Sequence, residues 1–387
     1  MKRKQFTRLL SLLLALVLAT GLVSPALAAE SRVSDTLVPL AAEKVAEDEL
    51  ELAESMNVMQ SFGDADDAGF FSDREADMQE DEMVRVSIVL KDASTLDAGF
   101  AAENIAENAS AMQYRARLQS AQDQLCERIE RQALEGRKMD VVWNLTLAAN
   151  LISANVRYDQ IDEIKAVSGV ADVYVENRYE TMVKQEERYD PNMATSSEQI
   201  GSSTAWAAGY TGAGSKIAII DTGIDIDHQS FSAAGYDHSM ELLAKDAGMT
   251  LDAYKKSVGV LDAAGIADVF SQLNIAKSTT ASAVTRNDKI PFAYNYVDKN
   301  TKITHMDDEQ GEHGSHVAGI AAANKYIANA DGTFSNALET AKVQGVAPDA
   351  QLVVMKVFGY GGGAYDSDYM AAIEDAIVLG CDSINLS

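Results

Sequence analysis

Little in this chain can cross-link or stiffen it: 387 residues hold two cysteines, five prolines and two tryptophans. Two thiols, Cys126 and Cys381, cannot build a disulfide framework, and they fall in stretches that read as separate domains. Both are expected to be small buried apolar residues, since neither has a base close in sequence that would make it a nucleophile. Cations are also scarce, with 32 Lys and Arg against 59 Asp and Glu, a formal charge of −27. Nucleic acid and anionic lipid are themselves negative, so non-specific binding to either is excluded and partners should be neutral or basic. There is no internal repeat, and beyond Val23 no apolar run approaches the ~20 residues of a membrane-spanning helix. What the chain does have is length, enough for two or three domains and at least one large core.

Lys2, Arg3, Lys4 and Arg8 precede an apolar stretch from Leu9 to Val23, and Ala26-Leu27-Ala28 supplies a small-x-small cleavage site. Residues 1–29 are therefore expected to be a signal peptide, which predicts a secreted or cell-surface protein with no transmembrane segment after its removal. Residues 30–82 are expected to be an acidic leader or linker, because acids far outnumber bases from Glu43 to Glu82 and large apolar residues are few. Order is predicted from Met83. A strand at Val84–Leu90, a long helix over Ala101–Leu134, one or two strands in Val141–Val156, a short helix at Tyr158–Val167 and a strand at Val170–Val175 describe a small α+β unit over 83–178. A polar connector, 179–200, follows, and from Gly201 the composition turns to small residues and glycine.

Residues 201–387 alternate strands and helices, the pattern of a parallel sheet with helices on its faces and an α/β class. The first strand, Lys216 to Asp221, is an apolar run ending on an acid and turning at once through Thr222 and Gly223. Working residues of open α/β sheets sit just beyond such carboxyl ends. A helix opening at His313 in GEHGSHVAGIAAA would hold its imidazole among glycines and alanines, rigidly enough for a general base. Asp221 and His313 suit two roles of nucleophilic hydrolysis, the carboxylate that orients an imidazole and the imidazole that takes a proton. His313 and His316 stand three residues apart without a third ligand at a recognisable spacing, which argues against zinc. Between strand and helix lies an insert, 233–307, helical around Ser239–Gly248 and Leu251–Val258, expected to loop outside the core with a solvated His238. Asp225, Asp227 and His228 are expected to form turns rather than a cation site.

IAIIDTGID, HGSHVAGIAA, GVAPDAQLVVMKV and SINLS, in this order, resemble the subtilisin-like serine proteases, or subtilases (peptidase S8). The resemblance implies a parallel-sheet catalytic domain in which Asp221 is the triad aspartate, His313 the triad histidine and His316 a structural histidine. It implies that Gly361-Gly362-Gly363-Ala364 is a substrate-binding edge on which an extended peptide pairs, and that Ser387 begins the wall of the substrate pocket. Residues 83–178 are similar to the family's inhibitor I9-type propeptide, so the implied partners are protein or peptide substrates and the chain's own propeptide. No cofactor is required; structural calcium is common in the family, and no ligands for it are assigned. The long insert, the EHG before Ser315 and the acidic leader are similar to the lactocepin branch of cell-envelope proteinases.

The nucleophile is the missing part. Nothing matches the family's late GTS-type serine motif; Ser315 lies inside the HGSH turn, and Ser383 and Ser387 border a strand. The expectation is an N-terminal fragment of a secreted serine endopeptidase, inactive by itself. The alternative is a secreted binding or scaffold protein on a subtilase frame, against which the presence of both Asp221 and His313 argues.

Overall fold

The computed structural model describes residues 78–180, 193–304 and 306–387. The expected signal peptide, nearly all of the acidic leader and the middle of the connector lie outside the described residues. The chain divides into two compact units, Met1–Glu82 and Met83–Ser387. Of the first, residues 78–82 are described and form a turn closed by the Glu82 N–H on the Gln79 carbonyl. Among the described residues no helix is long and apolar enough to cross a membrane.

The second unit begins with an antiparallel sheet. β1 (Met83–Leu90), β2 (Asp140–Leu145), β3 (Leu151–Arg157) and β4 (Val170–Val175) lie in the order β2-β3-β1-β4. Helix α1 (Ala109–Gln132) buries Ala111, Arg115, Leu118, Gln122, Leu125 and Ile129, spaced alternately by four and three, which is one helical face. It starts later than the apolar pattern predicts. Asn108 is extended and its side chain accepts from the Ser110 and Ala111 N–H groups, so a capping side chain sets the boundary. The buried face also carries two polar residues. Gln122 satisfies its amide on the Leu145 carbonyl and the Asn150 side chain, while Arg115 reaches out of the layer. Helix α2 (Ile161–Lys165) connects β3 to β4, and β5 (Arg178–Tyr179) ends the layer.

A parallel sheet follows. β6 (Lys216–Asp221), β7 (Phe292–Asn295), β10 (Gln351–Lys356) and β12 (Ser383–Leu386) lie in the order β12-β6-β10-β7, every neighbouring pair parallel. The strands bury both faces by simple alternation. Ala218, Ile220, Val353, Met355, Phe292 and Tyr294 pack toward helix α6 (Asp366–Val378) in one core, while Ile219, Leu352, Val354 and Ala293 pack toward helix α5 (His313–Ala322) in another. β7 corrects the expectation that 233–307 loops wholly outside the core: Phe292, Ala293, Tyr294 and Asn295 are all buried. Four residues after Pro291 are too few to show a period in the sequence. The rest of that stretch is helical as expected, with α3 (Ala233–Asp246) and α4 (Leu251–Ser257). His238 is half-buried rather than freely solvated. Its ring stacks on Phe334 at 3.9 Å and meets the edge of Tyr326 at 4.9 Å, both on the hairpin β8 (Tyr326–Ala328) and β9 (Phe334–Asn336).

Helix α6 joins the two sheets. Glu374, fully buried, takes the Leu147 and Ala148 N–H groups at 2.8 Å each, and Asp368 takes the Trp143 indole N–H at 2.8 Å. Buried Glu176 of the antiparallel layer accepts in turn from the Ser367 hydroxyl at 2.8 Å. Trp143, Leu145, Leu147 and Leu151 share the core that holds Ala371, Ala372 and Ala376 of α6. Both cysteines are free, and burial pushes the Cys126 thiol up to about 11 and the Cys381 thiol up to about 12, which leaves them protonated and inert at neutral pH.

Asp375 of α6 is fully buried and accepts from the Asn274 N–H at 2.6 Å and the Tyr296 hydroxyl at 3.0 Å. Desolvation nevertheless raises its carboxyl from 3.8 to about 7. Between those two values the folded chain holds a proton that the unfolded chain has released, so stability falls as pH rises through that window. Asp375→Asn is expected to flatten this fall, measured as urea midpoints from about pH 4 to about pH 8; equal slopes for the two proteins would refute the assignment.

Candidate active site

β6 ends on Asp221, whose carboxylate is completely buried. Such a charge must be met by donors, and three converge on it. The Thr222 N–H donates to Oδ1 at 2.6 Å, His313 Nδ1 lies 2.9 Å from Oδ1 and 3.0 Å from Oδ2, and the Ser387 hydroxyl donates to Oδ2 at 3.2 Å. An acceptor-only carboxylate fixes the imidazole tautomer with its proton on Nδ1, which leaves the Nε2 lone pair free. No described residue bonds to Nε2, and the His313 side chain is 38% exposed.

The two chain segments that carry the pair are stitched together. The Gly314 N–H donates to the Thr222 hydroxyl at 3.0 Å, and the Asp225 N–H donates to the Ser315 hydroxyl at 2.8 Å. The helix start thus rests directly on the turn after β6. The approach is close enough to demand glycine at 314, and a separate contact demands it at 223. A Cβ on Gly314 would run into the Gly223 carbonyl and lie 3.1 Å from Asp221 Oδ1, and Gly223, at φ +103°, sits against the Ile303 carbonyl.

The expected site residues separate into two groups. Asp221, His313 and Ser387 meet at one carboxylate, although the Ser387 hydroxyl faces Asp221 and not the imidazole nitrogen that would take its proton. Gly361 to Ala364 make no hydrogen bond to that carboxylate and lead into β11 (Ala364–Tyr365), which pairs antiparallel with β5 through Ala364↔Tyr179 and Tyr365↔Arg178. The Arg178 guanidinium donates to the Gly361 carbonyl at 3.1 Å and the Gly362 carbonyl at 3.3 Å. The Tyr179 hydroxyl donates to Asp366 at 2.9 Å, and burial beside that carboxylate pushes the phenol up to about 12. The glycine edge therefore carries an extended strand of the chain itself.

Asp225 and His228 make turn bonds, Asp225 Oδ1 accepting from the Asp227 N–H and His228 Nδ1 from the Ser230 N–H. His316 differs from its expected structural role: its side chain is exposed on α5 and has no hydrogen bond to a described residue. Two residues not singled out in the sequence belong to the site. Thr222 ties Asp221 to Gly314, and Lys356, wholly buried at the end of β10, stands beside Asp221 in the parallel register. A lone lysine inside the apolar run Gln351–Phe358 was the available signal for the second.

The profile of the subtilase family, peptidase S8, matches residues 212–387. The minor extracellular protease Vpr of Bacillus subtilis (strain 168) is 30% identical over 241 residues, which is 59% of this chain and 21% of Vpr. The PI-type proteinase of Lactococcus lactis subsp. cremoris is 30% identical over 244 residues, 62% of this chain and 10% of that protein. The matched stretch thus spans 21% of one relative and 10% of the other. The crystal structure of fervidolysin from Fervidobacterium pennivorans superimposes with a TM-score of 0.40 at 15% identity, covering 80% of this chain and 36% of fervidolysin, a score too low to decide the fold.

Gly314→Ala is expected to destabilise the chain by about 1–3 kcal/mol, as overpacking against backbone does. Chemical denaturation beside Gly319→Ala, where a Cβ would meet nothing within 4 Å, checks this, and equal stabilities would contradict the close approach.

Proposed function

From the match of residues 212–387 to the subtilase family we propose that the chain carries the acid–base half of a serine endopeptidase acting on protein or peptide substrates. The observation that bears the reading is the Asp221–His313 hydrogen bond at 2.9 Å, with no described residue bonded to Nε2. In this reading His313 takes the proton of an attacking seryl hydroxyl and returns it to the leaving amine, and the buried Asp221 holds the tautomer and stabilises the imidazolium. A serine has to reach Nε2 for this chemistry, and no described serine bonds there. By itself the 387-residue chain is therefore expected to take no label from a serine-directed fluorophosphonate probe. In a polypeptide that joins this domain to a segment supplying the serine, peptide hydrolysis is expected, with Asp221→Asn lowering kcat by about 10⁴, the scale of a triad aspartate lost to an amide. Unchanged kcat in that variant would end the assignment. An inert frame has no use for an imidazole so aligned, and nothing in the site favours that second reading.

Residues 83–178 are proposed as an inhibitory propeptide. Two observations support this: β5 is paired with β11 at the glycine edge, where a substrate strand would lie, and the antiparallel layer is anchored on α6 through Asp368 and Glu374. Secretion is supported by the charged, apolar and small-residue order of the N-terminus and by the extracellular description of Vpr. A peptide spanning Met83–Tyr179, added in trans to a peptidase that carries this domain, is expected to inhibit it; full activity at saturating peptide would exclude the role.

A further inference from the structure

Lys356 is a charged residue where the sheet gives it no water. It ends β10, paired in register with Asp221 on one side and Asn295 on the other, and its exposure is 0%. Its ammonium donates to the Thr222 carbonyl and to Asp308 Oδ2 at 3.1 Å, and the Asp308 side chain is itself only 2% exposed. The other Asp308 oxygen accepts from the Gln310 N–H at 3.0 Å, shaping the loop that runs into His313. Thr222 is held from two further directions, by its N–H on Asp221 and its hydroxyl under the Gly314 N–H. One ammonium therefore bridges the turn that follows the carboxylate and the loop that precedes the imidazole.

Stability alone does not account for such a pair. Taking an ammonium and a carboxylate out of water costs several kcal/mol per ion, and an apolar pair of similar volume is often as stable or more so. Burial pulls the lysine below its ordinary range, while Asp308 foremost, then Asp298 and Asp307, favour its charged form. What an apolar pair cannot do is tie a specified carbonyl of one loop to a specified carboxylate of another, and fixing such a register is the best-attested use of buried ions.

We propose that Lys356 is a positioning residue for the Asp221–His313 pair: by tying the Thr222 carbonyl to the Asp308 carboxylate, it fixes the separation of the two loops that carry the acid and the base. It touches neither substrate nor reacting atoms. The role rests on the reading of Asp221 and His313 as the acid–base pair.

The test is the imidazole Nδ1 proton of His313 in the 387-residue chain, observed by NMR with ¹⁵N-labelled histidine and assigned by its loss in His313→Gln. Wild type is expected to show a low-field, slowly exchanging proton that disappears in Asp221→Asn. Lys356→Met is expected to lose this signal by exchange with water. The double variant Lys356→Met with Asp308→Leu, which leaves no unpaired charge, is expected to lose it as well, whereas Lys356→Arg retains it. Retention in Lys356→Met, or full recovery in the double variant, would overturn the proposal, the latter because the lysine would then only neutralise Asp308. Should Lys356→Met not fold, Asp308→Asn reads the same tie from its other end, broadening of the proton supporting it and an unchanged signal overturning it. A wild-type chain without an Asp221-dependent proton removes the acid–base pair itself and the positioning role with it, an outcome distinct from every variant result above.

Discussion

A carboxylate sealed from water at the end of a parallel strand sets the terms for everything near it. Asp221 can keep its charge only because donors close around it, and each donor constrains the chain that supplies it. Thr222 must turn its N–H back on its own neighbour. His313 must present Nδ1, which decides the tautomer and frees Nε2. For the imidazole to come so near, the first turn of α5 must touch the turn after β6, and the glycine at 314 is what lets two backbones meet there. The chemistry and the packing are one requirement.

The same economy of polar groups governs the seam between the two sheets. Helix α6 is buried almost all round, and it spends its acids on the antiparallel layer: Asp368 on an indole, Glu374 on successive main-chain N–H groups of the turn between β2 and β3. Arg115 answers from α1, placing its guanidinium 3.9 Å from Glu374 and on the Gln272 carbonyl. Desolvation raises Asp366, Asp368 and Glu374 above the ordinary carboxylate range, so these contacts are costly to bury and orient the layers more than they hold them by charge. The apolar side chains around Trp143 and Leu147 supply the attraction.

The sequence was most legible where period and punctuation agree. β6 and β4 have the expected boundaries, and α5 opens at His313, because an apolar run ending in Asp-Thr-Gly and a glycine-rich helix start are both local signals. The Asp221–His313 pair was legible as motifs, yet its stitching was not. That Gly314 caps onto the Thr222 hydroxyl, or that Asp308 meets Lys356 across 48 positions, is a matter of tertiary approach and leaves no periodic trace. β7 was hidden for a related reason: a four-residue strand in the middle of a sheet is too short to declare itself. His238 misled because a single histidine among polar residues says nothing of an aromatic hairpin nearly a hundred positions away.

The two-residue pairing of β5 with β11 has a kinetic side. A strand tethered within its own chain acts at an effective concentration on the order of mM, so a peptide arriving from solution competes against a resident that never diffuses away. Weak pairing over two residues suffices to keep the edge occupied while the tether is whole. Cutting the chain between 179 and 201 would leave those contacts unchanged and remove only the tether. A free extended peptide would then meet a partner strand held only by its own two-residue pairing.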